Sequence, residues 1–184
     1  MKTNVTAMMV EEHKLILRMI ALVEKNVALV ETGQFSDWDF FLEGALPFIR
    51  LYADHFHHAK EEDVLFKALV ANGMPAQNSP VAAMLMEHDH GRAFVRGIED
   101  AAQRLLAGEN AVDELAENAR GYCALLRDHI EKENSILYTL AERILPETVR
   151  AAMITAYADA EAANPGLEVT FRRLIEEYEA KLAD

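Results

Sequence analysis

The stretch His57-His58-Ala59-Lys60-Glu61-Glu62-Asp63-Val64-Leu65-Phe66 recurs, slightly altered, as His129-Ile130-Glu131-Lys132-Glu133-Asn134-Ser135-Ile136-Leu137-Tyr138. Both copies read His-x-x-Lys-Glu-x-x-aliphatic-Leu-aromatic, so on a helix each points a His and a Glu, at i and i+4, toward one side. A smaller echo precedes each copy: Glu12-His13 before the first, Glu87-His88 before the second. The lone histidines lie 75 positions apart and the His-x-x-x-Glu pairs 72 apart. Such offsets point to two similar helical hairpins related by an approximate two-fold axis. Each hairpin offers one lone His and one His/Glu pair. Together, four imidazoles and two carboxylates make a donor set for two metal ions inside a helical bundle.

Punctuation along the chain agrees with that plan. A first helix is expected from about Val5 to Glu31, with Met9, His13, Ile16, Ile20, Val23 and Val27 on one stripe and Thr32-Gly33 at its end. Ser36 or Asp37 caps the second helix, which carries Trp38, Phe41 and Leu42 and then the first repeat, and ends near Asn72-Gly73. Gly44 and Pro47 predict a kink or fresh start within it. Ser79-Pro80 opens a third helix that runs to about Ala107. Asn110 is the expected cap of a fourth, which stops before Pro146. The fold class is therefore all-α: an up-down four-helix bundle over residues 1–146, followed by a C-terminal helical extension over 147–184. That extension breaks at Asn164-Pro165-Gly166, and its last part sets Leu167, Phe171, Leu174, Ile175, Tyr178 and Leu182 on one stripe. It packs either on the bundle or on a partner subunit, where it would build a homodimer.

Alternating helices place the six donors at one level. Counting the rise per residue from the expected helix ends puts His13, His57, Glu61, His88, His129 and Glu133 within a slab of roughly 10 Å near one end of the bundle. The expected pairing sets His13 and His57 on one metal, His88 and His129 on the other, and Glu61 and Glu133 across both. Six ligands exceed the need of one tetrahedral zinc and leave open positions for water or a small ligand.

Composition sets the remaining bounds. The chain has 184 residues, 51% of them hydrophobic, with few Gly or Pro. An all-α domain has that make-up. A net charge of −13 argues against nucleic acid or an anionic membrane as partner. A lone cysteine, Cys123, excludes an internal disulfide and reads as a small buried hydrophobe. No apolar signal-type core and no membrane-spanning segment stands out, so the expected location is cytoplasmic.

With the donors in place, a resemblance is evident. Glu-Glu-His at 11–13, His-x-x-Lys-Glu-Glu-Asp-x-Leu-Phe at 57–66, Glu-His-x-x-Gly-Arg at 87–92 and His-Ile-x-Lys-Glu-Asn-x-x-Leu-Tyr at 129–138 resemble the hemerythrin-like, His-His-Glu cation-binding family. The match covers about residues 6 to 145. It implies a non-haem di-iron centre, two iron ions with a bridging water, oxo or hydroxo group, that meets dioxygen, peroxide or nitric oxide. Carried over, the family's lone His of helix one is His13. Its helix-two pair is His57 and Glu61, and its helix-four pair is His129 and Glu133. On helix three the oxygen carriers place His at i and i+4, whereas here His88 is followed by Arg92. That departure argues against simple oxygen carriage and for exchange, redox turnover or sensing. The acid of the last pair, Glu133, also stands one residue earlier than the carriers' acid.

Other residues read more plainly. His58 and Glu62 form a second i,i+4 pair rotated by about 100° from the first, expected at the surface or behind the ligands because the second copy has Ile130 and Asn134 there. His55 and His90 are expected in solvent. Asp54 can orient an imidazole. Tyr122 packs in the core or lines a pocket, Gly91 makes room for a small ligand or a close helix contact, and the Met residues fill the core. The leading functional expectation is a di-iron protein that binds or senses a small oxidant. The alternatives are an oxidase or peroxidase, and iron handling or storage. No substrate-recognition motif stands out, which favours binding over catalysis.

Overall fold

A computed structural model describes residues 3–34 and 40–182; the cap at Ser36 or Asp37 and Trp38 lie outside the described residues. All regular structure among the described residues is helical. Six helices follow there in order: α1, Ala7–Glu31; α2, residues 40–71; α3, Pro80–Leu106; α4, residues 112–144; α5, Glu147–Ala163; and α6, Leu167–Lys181. None is long and apolar enough to cross a membrane.

The ends of these helices follow local chemistry. After α1, Gly33 takes a positive φ of 67°, the left-handed conformation that closes a helix. The Gly33 and Gln34 amides donate back to the carbonyls of Val30 and Leu29 at 3.0 Å. Ser79 caps α3 as expected, its Oγ accepting from the Ala82 amide at 3.3 Å. Pro80 takes the first helical position. Asn110 does not cap α4. The cap position is Ala111, fully buried and without a side-chain bond, so core packing rather than capping chemistry sets that start.

The kink expected at Gly44 and Pro47 takes another form. α2 is continuous, but much of it is wound in the wider π fashion, over Phe40–Ala45, Ile49–His58 and Glu61–Phe66, with Pro47 in the single α turn Leu46–Phe48. A change of winding accommodates a residue without an amide donor, and the helix need not break. The repeat has the same feature in α4, where Glu133–Leu137 is π-wound.

Cross-helix pairs fix the topology. Glu24 meets Arg127 and Glu31 meets Arg120, so α1 and α4 run antiparallel. On α2 and α3, Arg50 meets Glu99 while Glu62 meets His88, again antiparallel. Helices α3 and α4 approach closely: a Cβ at Gly121 would lie 2.5 Å from the Phe94 ring, so a larger residue there would have to displace that ring.

The extension packs back on its own bundle. Phe171 of α6 meets Phe48 edge-on at 5.3 Å, Tyr178 meets Phe40 at 4.9 Å, and Arg18 of α1 binds Glu179 through two bonds of 2.9 and 2.7 Å. On α5, Met153 and Tyr157 join Val5, Met9, Leu65, Leu69, Leu137 and Tyr138 in a core that closes one end of the bundle. Arg150 is fully buried; its guanidinium donates to the carbonyls of Thr3, Ala141, Glu142 and Leu145 and to the Glu142 carboxylate. Cys123 is buried in α4 as expected, and burial, with Glu24 nearby, pushes its thiol up to about 12.

Candidate metal centre

The widely wound turns of α2 and α4 carry Glu61 and Glu133 inward, beside the histidines of their own repeats. All six expected donors come together between α1, α2, α3 and α4, and none is more than 2% exposed. They form two adjoining groups. One holds His13, His57, Glu61 and Glu133; the other holds His58, Glu61, His88 and His129. Glu61 belongs to both, its Oε2 lying 3.7 Å from His57 Nε2 and 3.5 Å from His88 Nε2. Glu133 also reaches both sides, with Oε2 3.3 Å from His13 and Oε1 3.2 Å from His129.

His58 corrects the sequence reading. It is buried, and its ring stacks on that of His88 at 3.8 Å between centroids. In a π-wound stretch, successive residues turn through a smaller angle than in an α-helix, so neighbouring His57 and His58 both face the interior. The repeat pattern hid this because its other copy carries Ile130. Glu62, the other member of that pair, does sit behind the cluster, and His90 is exposed as expected.

Each ring is held from behind by an acceptor. His57 Nδ1 donates to Glu12 at 2.7 Å, His129 Nδ1 to Glu87 at 2.9 Å, His88 Nδ1 to Glu62 at 2.7 Å and His13 Nδ1 to the Asn134 side-chain carbonyl at 3.0 Å. Lys60 donates to Glu12 and Lys132 to Glu87. The two-fold repeat thus extends to the supporting residues: Glu12, Lys60 and His57 match Glu87, Lys132 and His129. Sequence reasoning gave these glutamates and lysines no role, although their presence in both copies was the available signal. Arg92, where the oxygen carriers have a second helix-three His, donates to both Asp54 and Glu62 at 2.7 Å. Asp54 lies 3.5 Å from His58 Nδ1, so Arg92 organises the carboxylates behind His58 and His88.

With Nδ1 carrying the proton, every Nε2 presents a lone pair inward. His13 and His57 face each other Nε2 to Nε2 at 2.9 Å, and His88 and His129 at 3.1 Å. Two lone pairs at that distance repel unless a proton or a cation lies between them. Glu61 Oε2 and both oxygens of Glu133 are buried with no hydrogen-bond partner. Leaving carboxylate oxygens in that condition costs several kcal/mol each without a compensating cation. The carboxylates favour positive charge on one ring in each half. Burial lowers the His13 and His88 imidazoles, but Glu133 beside the first and Glu61 and Glu62 beside the second outweigh it, and His88 is raised to about 9. Burial holds His57 well below its ordinary value and, with His88 alongside, takes His58 down to about 3. Burial opposes ionisation of Glu133 too, yet His129 and His13 hold its carboxyl well below the usual range.

The two halves differ at their edges. Tyr138 stacks on His13 and donates its hydroxyl to Glu61 Oε1, whereas the equivalent residue beside His88 is Phe66. A cavity of about 360 Å³ adjoins only the second half, touching His58, His88 and His129 and extending past Gly91 and Tyr122.

A helical bundle that gathers five imidazoles and two carboxylates into two adjoining pockets is a histidine/carboxylate metal-binding bundle. A family model, the hemerythrin HHE cation binding domain, matches residues 4–141, and the protein belongs to that family. No curated protein and no solved structure matches the chain.

Proposed function

We propose that this protein holds two iron ions, one at His13 and His57, one at His58, His88 and His129, with Glu61 and Glu133 spanning both, and uses them to bind or sense dioxygen, peroxide or nitric oxide. The observation that carries this reading is the pair of facing Nε2 atoms in each half, beside buried carboxylate oxygens without partners. Imidazole and carboxylate donors with no thiolate suit iron in a bundle core. When bound, such a pair of ions supplies redox exchange with a small oxidant at its open positions.

The chain's own residues do the rest. Glu12 and Glu87 hold His57 and His129 in the tautomer that directs Nε2 inward, and Lys60 and Lys132 fix those carboxylates. Tyr138 keeps a proton on its oxygen, since burial and the neighbouring Glu133 and Glu61 raise its pKa well above normal, and so offers Glu61 a fixed donor. One observation favours the oxidase or peroxidase alternative: the cavity beside the second half has the volume of a small-molecule site and exceeds the need of a diatomic.

Elemental analysis followed by absorption spectra of the reduced protein, before and after air, tests the reading. Two irons per chain and a visible charge-transfer band that reverses when oxygen is removed are expected. Irreversible change with consumption of peroxide would move the function to the enzyme alternative, and a single zinc with no spectral response would end the di-iron reading.

A further inference from the structure

The cavity has a direction. Helices α2 and α3 run antiparallel along it, so Arg50 on α2 and Arg96 on α3 share one end while His58 and His88 share the other. Eight residues of helix separate Arg96 from His88, a span of roughly 12 Å. Apolar side chains, Ile49, Val95, Tyr122, Leu125 and Leu126, line much of the wall, with Asp54 and Arg92 midway. Gly91 leaves the wall open, since a Cβ there would meet nothing closer than 3.8 Å. Arg96, at the guanidinium end, and His55, nearer the imidazoles, are exposed and also line the cavity, so it reaches solvent at both levels.

Charge along this path is graded. Asp54 and Glu87 border the imidazole end, and Arg92, midway, already binds Asp54, Glu62 and Asp89. Arg50 is paired with Glu99. Arg96, exposed at one opening of the cavity, has no hydrogen bond or ion pair to protein among the described residues, so its guanidinium is open to a ligand. An Arg in that position suits a carboxylate, which its planar fork can grip through two donors.

We propose that this cavity binds a small organic carboxylate with an apolar body, its carboxylate held at Arg96 and its opposite end brought to His58, His88 and His129. The volume of about 360 Å³ lies at the lower limit of known small-molecule sites and suits a body of roughly ten heavy atoms. The reversed orientation would set a carboxylate beside Asp54 and Glu87 and leave Arg96 facing an apolar tail. The proposal rests on the di-iron reading for what the ligand meets at the far end, though not for its binding.

Calorimetric titration of the full chain with 4-phenylbutyrate, the neutral 4-phenylbutan-1-ol and the cationic 4-phenylbutylamine tests it, with metal content measured on the same samples. The acid should bind about tenfold tighter than the alcohol, and the amine least, as expected for a charge-assisted bond at the mouth. Arg96→Gln, on an exposed helix face, should weaken the acid about tenfold and leave the alcohol unchanged. Gly91→Leu should abolish both, with helicity by circular dichroism confirming that the variant folds. Absence of binding by every probe, or equal binding of acid and amine, would overturn the proposal. So would acid binding that ignores Arg96→Gln and vanishes when the metal is chelated, because the carboxylate would then be directed at the centre. Two metals without acid binding would fail this inference alone; Arg96-dependent binding to a chain that takes up no metal would fail only the di-iron reading.

Discussion

His58 and its surroundings show how a single side chain divides two otherwise matching halves. The first half has His13 and His57 at its pocket; the second has His88, His129 and, in addition, His58 where the repeat would put Ile130. If His58 is a ligand, His58→Ala should lower metal content from two ions to about one per chain by elemental analysis, while exposed His90→Ala leaves it at two. Equal metal content in the two variants would remove His58 from the donor set. The carboxylates behind the rings carry a second expectation. Glu12→Gln keeps the size of the side chain but exchanges a carboxylate acceptor for an amide, so His57 loses both orientation and basicity. Metal affinity should fall about 10–100-fold in competition with a chelator. Glu87→Gln should match it, because Glu87 stands to His129 and Lys132 as Glu12 stands to His57 and Lys60.

At the scale of helices, the sequence revealed most where spacing alone decides. The donors of α1 through α4 share one level because short loops force alternation, and the Gly33, Ser79 and Pro146 boundaries follow from elementary backbone chemistry. The winding of α2 was not legible. Counting at roughly 100° per residue turned His58 away from its neighbour, while the π-wound turns bring both inward. Nor was the anchoring of α5. Arg150 sits in an ordinary stretch of sequence, yet its guanidinium ties α5 to the end of α4 and to Thr3 through partners 147 residues apart at the most distant. Removing it orphans several carbonyls, so Arg150→Leu should cost about 3 kcal/mol in urea denaturation. Its partner has a pH signature. Burial raises the Glu142 carboxyl, but Arg150, the Val5 amide and Thr6 outweigh it and lower the value. A lowered carboxyl contributes stability that is present above its unfolded value, about 4.3, and is lost as pH falls through the folded one. Glu142→Gln should therefore flatten the acid limb of the stability curve, and an unchanged limb would place its origin elsewhere.

For the molecule as a whole, the centre and the core are one structure. The residues that close the bundle beside the donors, Leu65, Phe66, Leu137 and Tyr138, pack with Met153 and Tyr157 of α5, so the extension supports the region that holds the donors although it supplies none of them. Metal should stabilise this whole by linkage, since the facing Nε2 atoms and buried carboxylates gather only in the folded chain. At a free metal concentration a thousandfold above the dissociation constant the gain is about 4 kcal/mol. Its dependence on pH has a definite sign. Metal must displace the protons that the metal-free fold holds on its imidazoles, on His88 up to about 9, so the gain grows as pH rises toward that value and disappears as pH falls and protons displace the ion. Thermal melts of metal-loaded and chelator-treated protein should differ widely at pH 8 and converge toward pH 5. Curves that stay equally far apart at both would mean that the bound ion does not compete with protons for these histidines, and the donor set would then have to be sought elsewhere.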